Sequence, residues 1–398
     1  MADLGFQMFD TDNHYYEPTD AFTRHMDPKM APRAMEWAEI GGQPRLIVGG
    51  QISHYFASPT NDPTWIPGSL REMMRGNNPD KLDFLEVATQ YEPARPEFFD
   101  RDARLALMDE QGTERIFSFP SLACGMEEAL AVRDPEACVA AFKAFNRWID
   151  DDWGFNHEDR IYAPPYITLI DPDAAVEELE WALSRGARAI SMRPGPIAGP
   201  REFRSLGDPI FDPFWARANE AGILIGYHGM SNCYMDWLEV WGERGAMDFQ
   251  DSSFMEVLGF NGMRAMSDTM AALLCHGVLY RFPKLRVMAV ETGSGWVAPL
   301  LRELERVNRM LPNAFPSDPV EAFKRHMWIS CTPCLNDDLP ALRDDIGAEN
   351  ILMGSDYPHA EGLENPSEFV NELDGFSDAE IRMIMRENGL SLVQPPAF

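Results

Sequence analysis

Basic residues are the first shortage. Lys and Arg number 34 against 64 Asp and Glu, a formal net charge of −30 over 398 residues. Nucleic acids and anionic membrane surfaces call for a basic footprint, so neither is an expected partner and a small molecule is. No apolar run approaches the ~18 residues that span a bilayer. Met1 to Asp12 carries no basic region followed by an apolar stretch of the signal-peptide kind. Cysteine is sparse and scattered, at Cys124, Cys138, Cys233, Cys275, Cys331 and Cys334. That spacing excludes a disulfide framework and fits reduced thiols, so a cytoplasmic protein is expected. Internal repeats and low-complexity tracts are also missing.

What is present is an ordinary globular balance, 45% hydrophobic and 11% aromatic, with ample material for a core. Apolar runs bounded by turn signals predict strands at Phe6–Asp12, Glu114–Pro120, Ile161–Leu169, Ala187–Met192, Gly222–His228, Leu285–Glu291, Met327–Ser330 and Ile351–Asp356. Pro164 and Pro165 are awkward inside the third. Helical periodicity separates most of them, at Arg101–Gly112, Asp134–Asp152, Asp171–Arg185, Phe211–Ala221, Met263–Tyr280, Val297–Met310, Asn336–Ile346 and Ser377–Glu387. Alternating strands and helices mean a parallel sheet with crossovers. Eight such units predict an α/β fold, a (β/α)8 TIM barrel of one domain. An open doubly wound sheet would want a Gly-rich phosphate loop after the first strand, and Asp12-Asn13-His14-Tyr15-Tyr16-Glu17 stands there instead. Residues Glu17 to Pro96 break the alternation. This irregular insertion, with a hairpin at Pro44–Ile52 turning on Gly49-Gly50, is expected to form a lid over the barrel mouth or a subunit contact. A homo-oligomer, a dimer, is expected.

In such a barrel chemistry sits at the C-terminal ends of the strands. Those ends hold Asp12 and His14, Arg193, His228, Glu291, and Asp356 with His359. Asp12 and His14 lie two apart, so they share one face of an extended chain. With His228 and Asp356 they make a mixed nitrogen and oxygen set suited to one divalent ion, Zn²⁺ or Mn²⁺. Tyr16 and Glu17 follow the metal strand and are candidate substrate contacts, and Arg193 is a candidate clamp for a substrate carboxylate. Asp356, Glu291 and His359 are the candidate acid–base groups. His25, His54, His157 and His326 have no convergent partners, and His276 falls on a helix away from the mouth. Cys331-Thr332-Pro333-Cys334 has redox spacing but follows a strand of a large chain, so mouth-lining thiols are the better reading.

Four segments carry a resemblance: Asp10-Thr11-Asp12-Asn13-His14, the helix Arg104 to Gly112, Phe282 to Val297, and Gly354-Ser355-Asp356-Tyr357-Pro358-His359. Together they resemble the amidohydrolase superfamily, in the branch containing aminocarboxymuconate-semialdehyde decarboxylase. The first and last look like that branch's D-x-H-x-H opening and G-S-D-W/Y-P-H ending. Three departures stand out. Asp12 replaces a histidine, which hardens the ligand set toward Mn²⁺. Glu291 stands where some members place a catalytic histidine. No lysine follows strand four to bridge two ions, so one ion is expected. The resemblance implies a metal-dependent enzyme on a small organic substrate. Hydrolysis by an activated water is the leading expectation, with Asp356 or Glu291 taking the proton. Non-oxidative decarboxylation of an aromatic or unsaturated acid is the alternative, and a metal-stabilised binding scaffold the third.

Overall fold

Aspartate caps and glycine stops divide the chain. Asp100, Asp134, Asp171 and Asp338 each accept a backbone N–H of the helix that follows, at Arg101–Gln111, Pro135–Asp152, Pro172–Ser184 and Leu339–Ile346. Gly112 and Gly222 end helices in the left-handed conformation, at φ 71° and 63°. The computed structural model describes residues 4–53, 62–82, 87, 90–199, 202–229, 240–243, 255 and 263–394.

Eight parallel segments carry the site: β1 (Met8–Tyr15), β2 (Thr113–Pro120), β3 (Ile161–Tyr162), β4 (Ala189–Met192), β5 (Leu224–His228), β6 (Arg286–Val290), β7 (Met327–Cys331) and β8 (Ile351–Met353). They pair as two parallel sheets, β1-β2-β3 and β8-β7-β6-β5-β4. Backbone bonds cross both seams. Ile167 N donates to Ser191 O and Ser191 N to Pro165 O, each at 2.9 Å. On the other side Asp356 N donates to Asp12 O and His14 N to Tyr357 O, each at 2.7 Å. Helices lie between most successive strands, so the fold is α/β with parallel strands.

Several boundaries differ from the sequence reading, the first strand among them, which runs on to Tyr15. The third strand stops at Tyr162, because Pro164 and Pro165 offer no N–H to the ladder. The helix expected to reach Tyr280 ends at Cys275, and Gly277 at φ 76° starts a separate turn, Val278–Arg281. The eighth strand ends at Met353, three residues before Asp356.

Phe9, Phe117, Phe119, Tyr162, Leu224, Met288, Val290 and Leu352, from strands of both sheets, form one buried cluster. Each fully buried aromatic or aliphatic side chain there contributes roughly 1.5–3 kcal/mol. Leu392 and Val393 join this cluster from the C-terminal helix, and Arg286 at the start of β6 donates to the carbonyls of Ser391 and Gln394. The N-terminal ends of the strands are thereby covered.

The segment between β1 and β2 holds a three-stranded antiparallel sheet, Met35–Ile40, Gln43–Val48 and Gln51–Ile52. Its second hairpin turns on Gly49-Gly50, and Gly41-Gly42 makes the first, both pairs at positive φ. The segment bonds to loops that follow strands. Gly68 N and Leu70 N donate to His359 O and Ala360 O beyond β8, at 3.1 and 2.7 Å. Arg75 donates to Pro333 O beyond β7, and Arg33 pairs with Asp134 beyond β2. No helix among the described residues is long and apolar enough to cross a membrane.

Candidate metal centre

The end of β1 is built by Asp10, which is not at the centre of the site. Its carboxylate accepts from Ser355 N (2.9 Å), Ser355 Oγ (2.5 Å) and Asn13 Nδ2 (2.8 Å), tying β1 to the turn after β8. Burial lifts its pKa to about 6 in spite of those bonds. The pairing of β1 with β2 slips between Asp10 and Asn13, so the strand bulges just below the ligand positions.

From that bulge Asp12 and His14 meet the ends of β5, β6 and β8. His14 Nε2 lies 3.3 Å from Asp12 Oδ1, 3.3 Å from Asp356 Oδ1 and 3.8 Å from Glu291 Oε2. His228 Nε2 lies 3.3 Å from Glu291 Oε2, 3.6 Å from Asp12 Oδ1 and 3.3 Å from His14 Nε2. Two sets of four donor atoms result, each within 4.8 Å: Asp12, His14, His228 and Glu291, and His14, Glu291, Asp356 and His359. Glu291, read from the sequence only as an acid–base group, stands in both. Its φ of 52° and the 58° of Asp356 turn these carboxylates in from the ends of their strands. Such backbone costs of order 1–3 kcal/mol per residue and persists where the surroundings impose it. Glycines give the room. A Cβ at Gly229 would collide with Glu291 O, and one at Gly354 would sit 2.5 Å from the Asp12 Cβ.

The donor set fits a divalent cation. Asp12 Oδ1, Glu291 Oε2 and Asp356 Oδ2 are buried and have no hydrogen-bond donor. The two imidazole Nε2 atoms face each other at 3.3 Å. His228 Nδ1 bonds to Gly229 O at 3.0 Å, so that nitrogen carries the proton and Nε2 offers its lone pair inward. Buried carboxylate oxygens without donors are costly when dry, and a cation held by them and the two imidazoles removes the cost. Without one, the groups polarise one another. Burial opposes ionisation of Asp12, but the neighbouring His14 and His228 imidazoles outweigh it and hold the carboxyl below the ordinary range. Burial works against a charge on His14, while Asp12 and Asp356 raise its pKa well above the usual imidazole value. Burial, then the Asp356 and Asp12 charges, push Glu291 well up.

His359 closes the far side. Its Nδ1 lies 2.7 Å from Asp356 Oδ1 and its Nε2 2.9 Å from Ser121 Oγ. Ser121 has one proton and donates it to Tyr15 O at 2.8 Å. His359 Nε2 is then the donor to Ser121. Glu17 anchors Oε1 on Leu122 N (2.9 Å) and Ala123 N (3.2 Å), while Oε2 is buried without a donor. Burial raises this carboxyl to about 7. Tyr16 presents its ring to His359 and accepts from Thr64 Oγ1 of the inserted segment at 3.3 Å. Arg193 is held by others. It donates to Glu128 at 3.1 Å and to Pro196 O, with Glu127 3.8 Å away, so a substrate carboxylate would compete with two side chains.

Arg104 escaped the sequence reading as a site residue. Fully buried, it donates to Asn13 Oδ1, to His14 O at 2.9 Å and to Glu97 O at 2.8 Å, clamping the backbone that carries His14. Its signal was an arginine on a helix that otherwise turns polar residues outward. Glu361 also escaped; burial, then the Asp356 charge, raise its carboxyl. Cys331 and Cys334 are buried free thiols that burial keeps protonated, poor nucleophiles as they stand. The remaining described histidines bond elsewhere: His25 to Asp151, His157 near Asp102, His276 to Ser205 and His326 to Leu285 O. His54 lies outside the described residues.

Comparison with known proteins follows this geometry. The model of the amidohydrolase family matches residues 10–392. The chain is 42% identical to an amidohydrolase from Mycobacterium avium subsp. paratuberculosis K-10, over 98% of this chain and 100% of that one, with a TM-score of 0.91. It shares its fold with 2,6-dihydroxybenzoate decarboxylase from Rhizobium, at 17% identity, 98% coverage of both chains and a TM-score of 0.62. A dihydroxybenzoic acid decarboxylase from Polaromonas sp. JS666, solved with manganese and 2-nitroresorcinol, aligns at 18% identity over 83% of this chain and 94% of that one, with a TM-score of 0.58.

Proposed function

The chain belongs to the amidohydrolase family, and from that premise we propose that it is a metal-dependent enzyme that removes CO₂ from a small aromatic or unsaturated acid without a redox cofactor. We read the two sheets as one closed (β/α)8 barrel, because hydrogen bonds cross both seams, and the segment 17–96 as its lid, because that segment bonds to loops beyond three strands. One divalent ion, Mn²⁺ ahead of Zn²⁺, is held by Asp12, His14, His228 and Asp356, with Glu291 alongside. The observation that carries this reading is the convergence of buried, donorless carboxylate oxygens on two facing imidazole nitrogens.

When bound, the ion supplies positive charge that orients and polarises the substrate's oxygen atoms. The side chains do the rest. His228 and His14 present neutral nitrogens, His228 fixed by its bond to Gly229 O. His359 Nδ1 lies 2.7 Å from Asp356 Oδ1, and Glu291 holds its carboxyl beside both imidazoles. An acid so placed can deliver a proton to the substrate carbon as CO₂ departs. Tyr16 and Glu17 lie where the far end of the substrate would rest, under the lid. Arg193 becomes a substrate contact only by leaving Glu128.

Decarboxylation takes the lead over hydrolysis because enzymes with this fold, aligned over nearly the whole of both chains, act on dihydroxybenzoates, one of them with manganese bound. Hydrolysis stays the second reading, because the relative at 42% identity carries the amidohydrolase name and the same donors would activate a water. Product analysis separates them. Incubation with a panel of hydroxybenzoates, unsaturated acids, esters, amides and lactones should yield CO₂ and no oxygen from ¹⁸O-labelled water. Label in the product without CO₂ would establish hydrolysis.

A further inference from the structure

The Cys331-Thr332-Pro333-Cys334 segment serves neither a disulfide nor the acid–base chemistry above. Its use lies in the residue between the cysteines. Thr332 is buried at the tip of β7, and its hydroxyl donates to Asp12 Oδ2 at 3.0 Å. The other oxygen, Asp12 Oδ1, has no donor and faces His14 and His228 at 3.3 and 3.6 Å. The two oxygens of one carboxylate therefore have different employment, and Thr332 decides which is which.

We propose that Thr332 is a positioning residue that makes Asp12 a one-oxygen ligand and thereby sets both the affinity and the ion preference of the site. This rests on the metal site proposed above. Three features hold the hydroxyl in place. Pro333 restricts the residue before it to extended backbone, and Thr332 is extended, at φ −111° and ψ 127°. Gly354 N donates to Cys331 O at 3.1 Å, fixing the tip of β7 to β8. Gly354 also leaves the slot into which the Asp12 Cβ fits. Asp12 is thus seated between β7 and β8, with one oxygen turned to protein and one to the ion. An ion that took both oxygens would have to compete with the threonine hydroxyl. A smaller ion content with one oxygen keeps the bond, whereas a larger ion that tolerates two-oxygen chelation gains from its loss.

The test is equilibrium titration of metal-depleted full-length protein with MnCl₂ and, separately, ZnCl₂ against a competing chelator. Thr332→Val keeps the shape and removes the hydroxyl; Thr332→Ser keeps the hydroxyl. The valine variant should bind more weakly by roughly 10–100-fold, the usual worth of a partner behind a ligand. The loss should be smaller for Mn²⁺ than for Zn²⁺, and the serine variant should stay within about threefold of the parent on this scale. Melting of the metal-free proteins separates positioning from folding: the serine variant should melt like the parent, and the valine variant lower only by the few degrees that one buried hydrogen bond is worth. Valine binding of both ions at parental strength overturns the role of Thr332 and leaves the metal site standing. A valine loss equal for both ions, unrescued by serine and matched by a larger fall in melting temperature, also overturns it. A parent that binds neither ion overturns the metal site itself, and the inference with it.

Discussion

The floor of the site and the segment above it are built by opposite means. On the floor, Asp12, His14, His228 and Asp356 are buried, fixed by strand ends, glycine clearances and bonds such as Asp10 to Ser355 and Arg104 to His14 O. The segment from Glu17 to Pro96 has short strands and turns, is largely half-buried or exposed, and holds to the rest through a few core side chains such as Phe22 and Val48, two backbone bonds from Gly68 and Leu70, and surface pairs such as Arg33–Asp134 and Arg95–Glu364. Exposed pairs contribute little, about 0–1 kcal/mol each. The floor can hold reactive groups at fixed separations, and the upper segment has fewer buried side chains to fix it. On the proposed function, reactions are set below and what is admitted is set above.

If that division is right, the largest effects belong to the floor. His228→Ala should lose metal by more than the ~10–100-fold that an outer partner is worth and lose activity with it, while circular dichroism shows the parental fold. Full ion occupancy in that variant would remove His228 from the ligand set. Asp356→Asn should retain some metal yet fall ~10²–10⁴-fold in turnover, the usual size of acid–base help. Turnover within a few-fold of the parent at equal occupancy would leave Asp356 a ligand alone and pass the proton to Glu291 or His359.

Glu17 sits at the junction of the two regions and gives a pH test. Burial raises its carboxyl from 4.5 to about 7, so the folded state binds its proton more tightly than the unfolded chain. The stability this lends is complete below about pH 4.5 and is lost as pH climbs through about 7, a change on the order of 3 kcal/mol. Glu17→Gln has no proton to lose. Metal-depleted Glu17→Gln should therefore lose less of its melting temperature between pH 5 and pH 8 than the parent does. Parallel melting profiles would mean that the carboxyl is already satisfied. The smallest effect belongs to the upper segment. Thr64→Ala removes the bond to Tyr16, worth about 0.5–1.5 kcal/mol, and should raise KM by a few-fold with kcat nearly constant. A kcat loss as large as that of the Asp356 variant would erase the distinction between the regions.

Much of the floor was readable in the sequence because strand periodicity and strand ends are local. Asp12 and His14 two apart, and His228 and Asp356 closing apolar runs, need only the alternation of a strand to be noticed. The rest depends on contacts between distant parts. Glu291 reads as a lone carboxylate at the end of β6, and its turn inward depends on a left-handed backbone and on the absence of a Cβ at Gly229. Arg104 reads as a helix-surface cation until Asn13 and His14, some ninety residues earlier, supply its acceptors. Arg193 reads as a free clamp until Glu127 and Glu128 are folded against it. The proline pair shortened the third strand as its missing N–H groups require, and the first strand of the small sheet, Met35–Ile40, was hidden because the segment around it alternates with nothing.

The ion is the premise on which the division between the floor and the proposed lid depends. The most direct measurement is the elemental content of purified full-length protein, parent beside His14→Ala. The account predicts one divalent ion per chain in the parent and none retained by the variant. Two ions per chain, both needed for activity, or equal content in parent and variant, would contradict it.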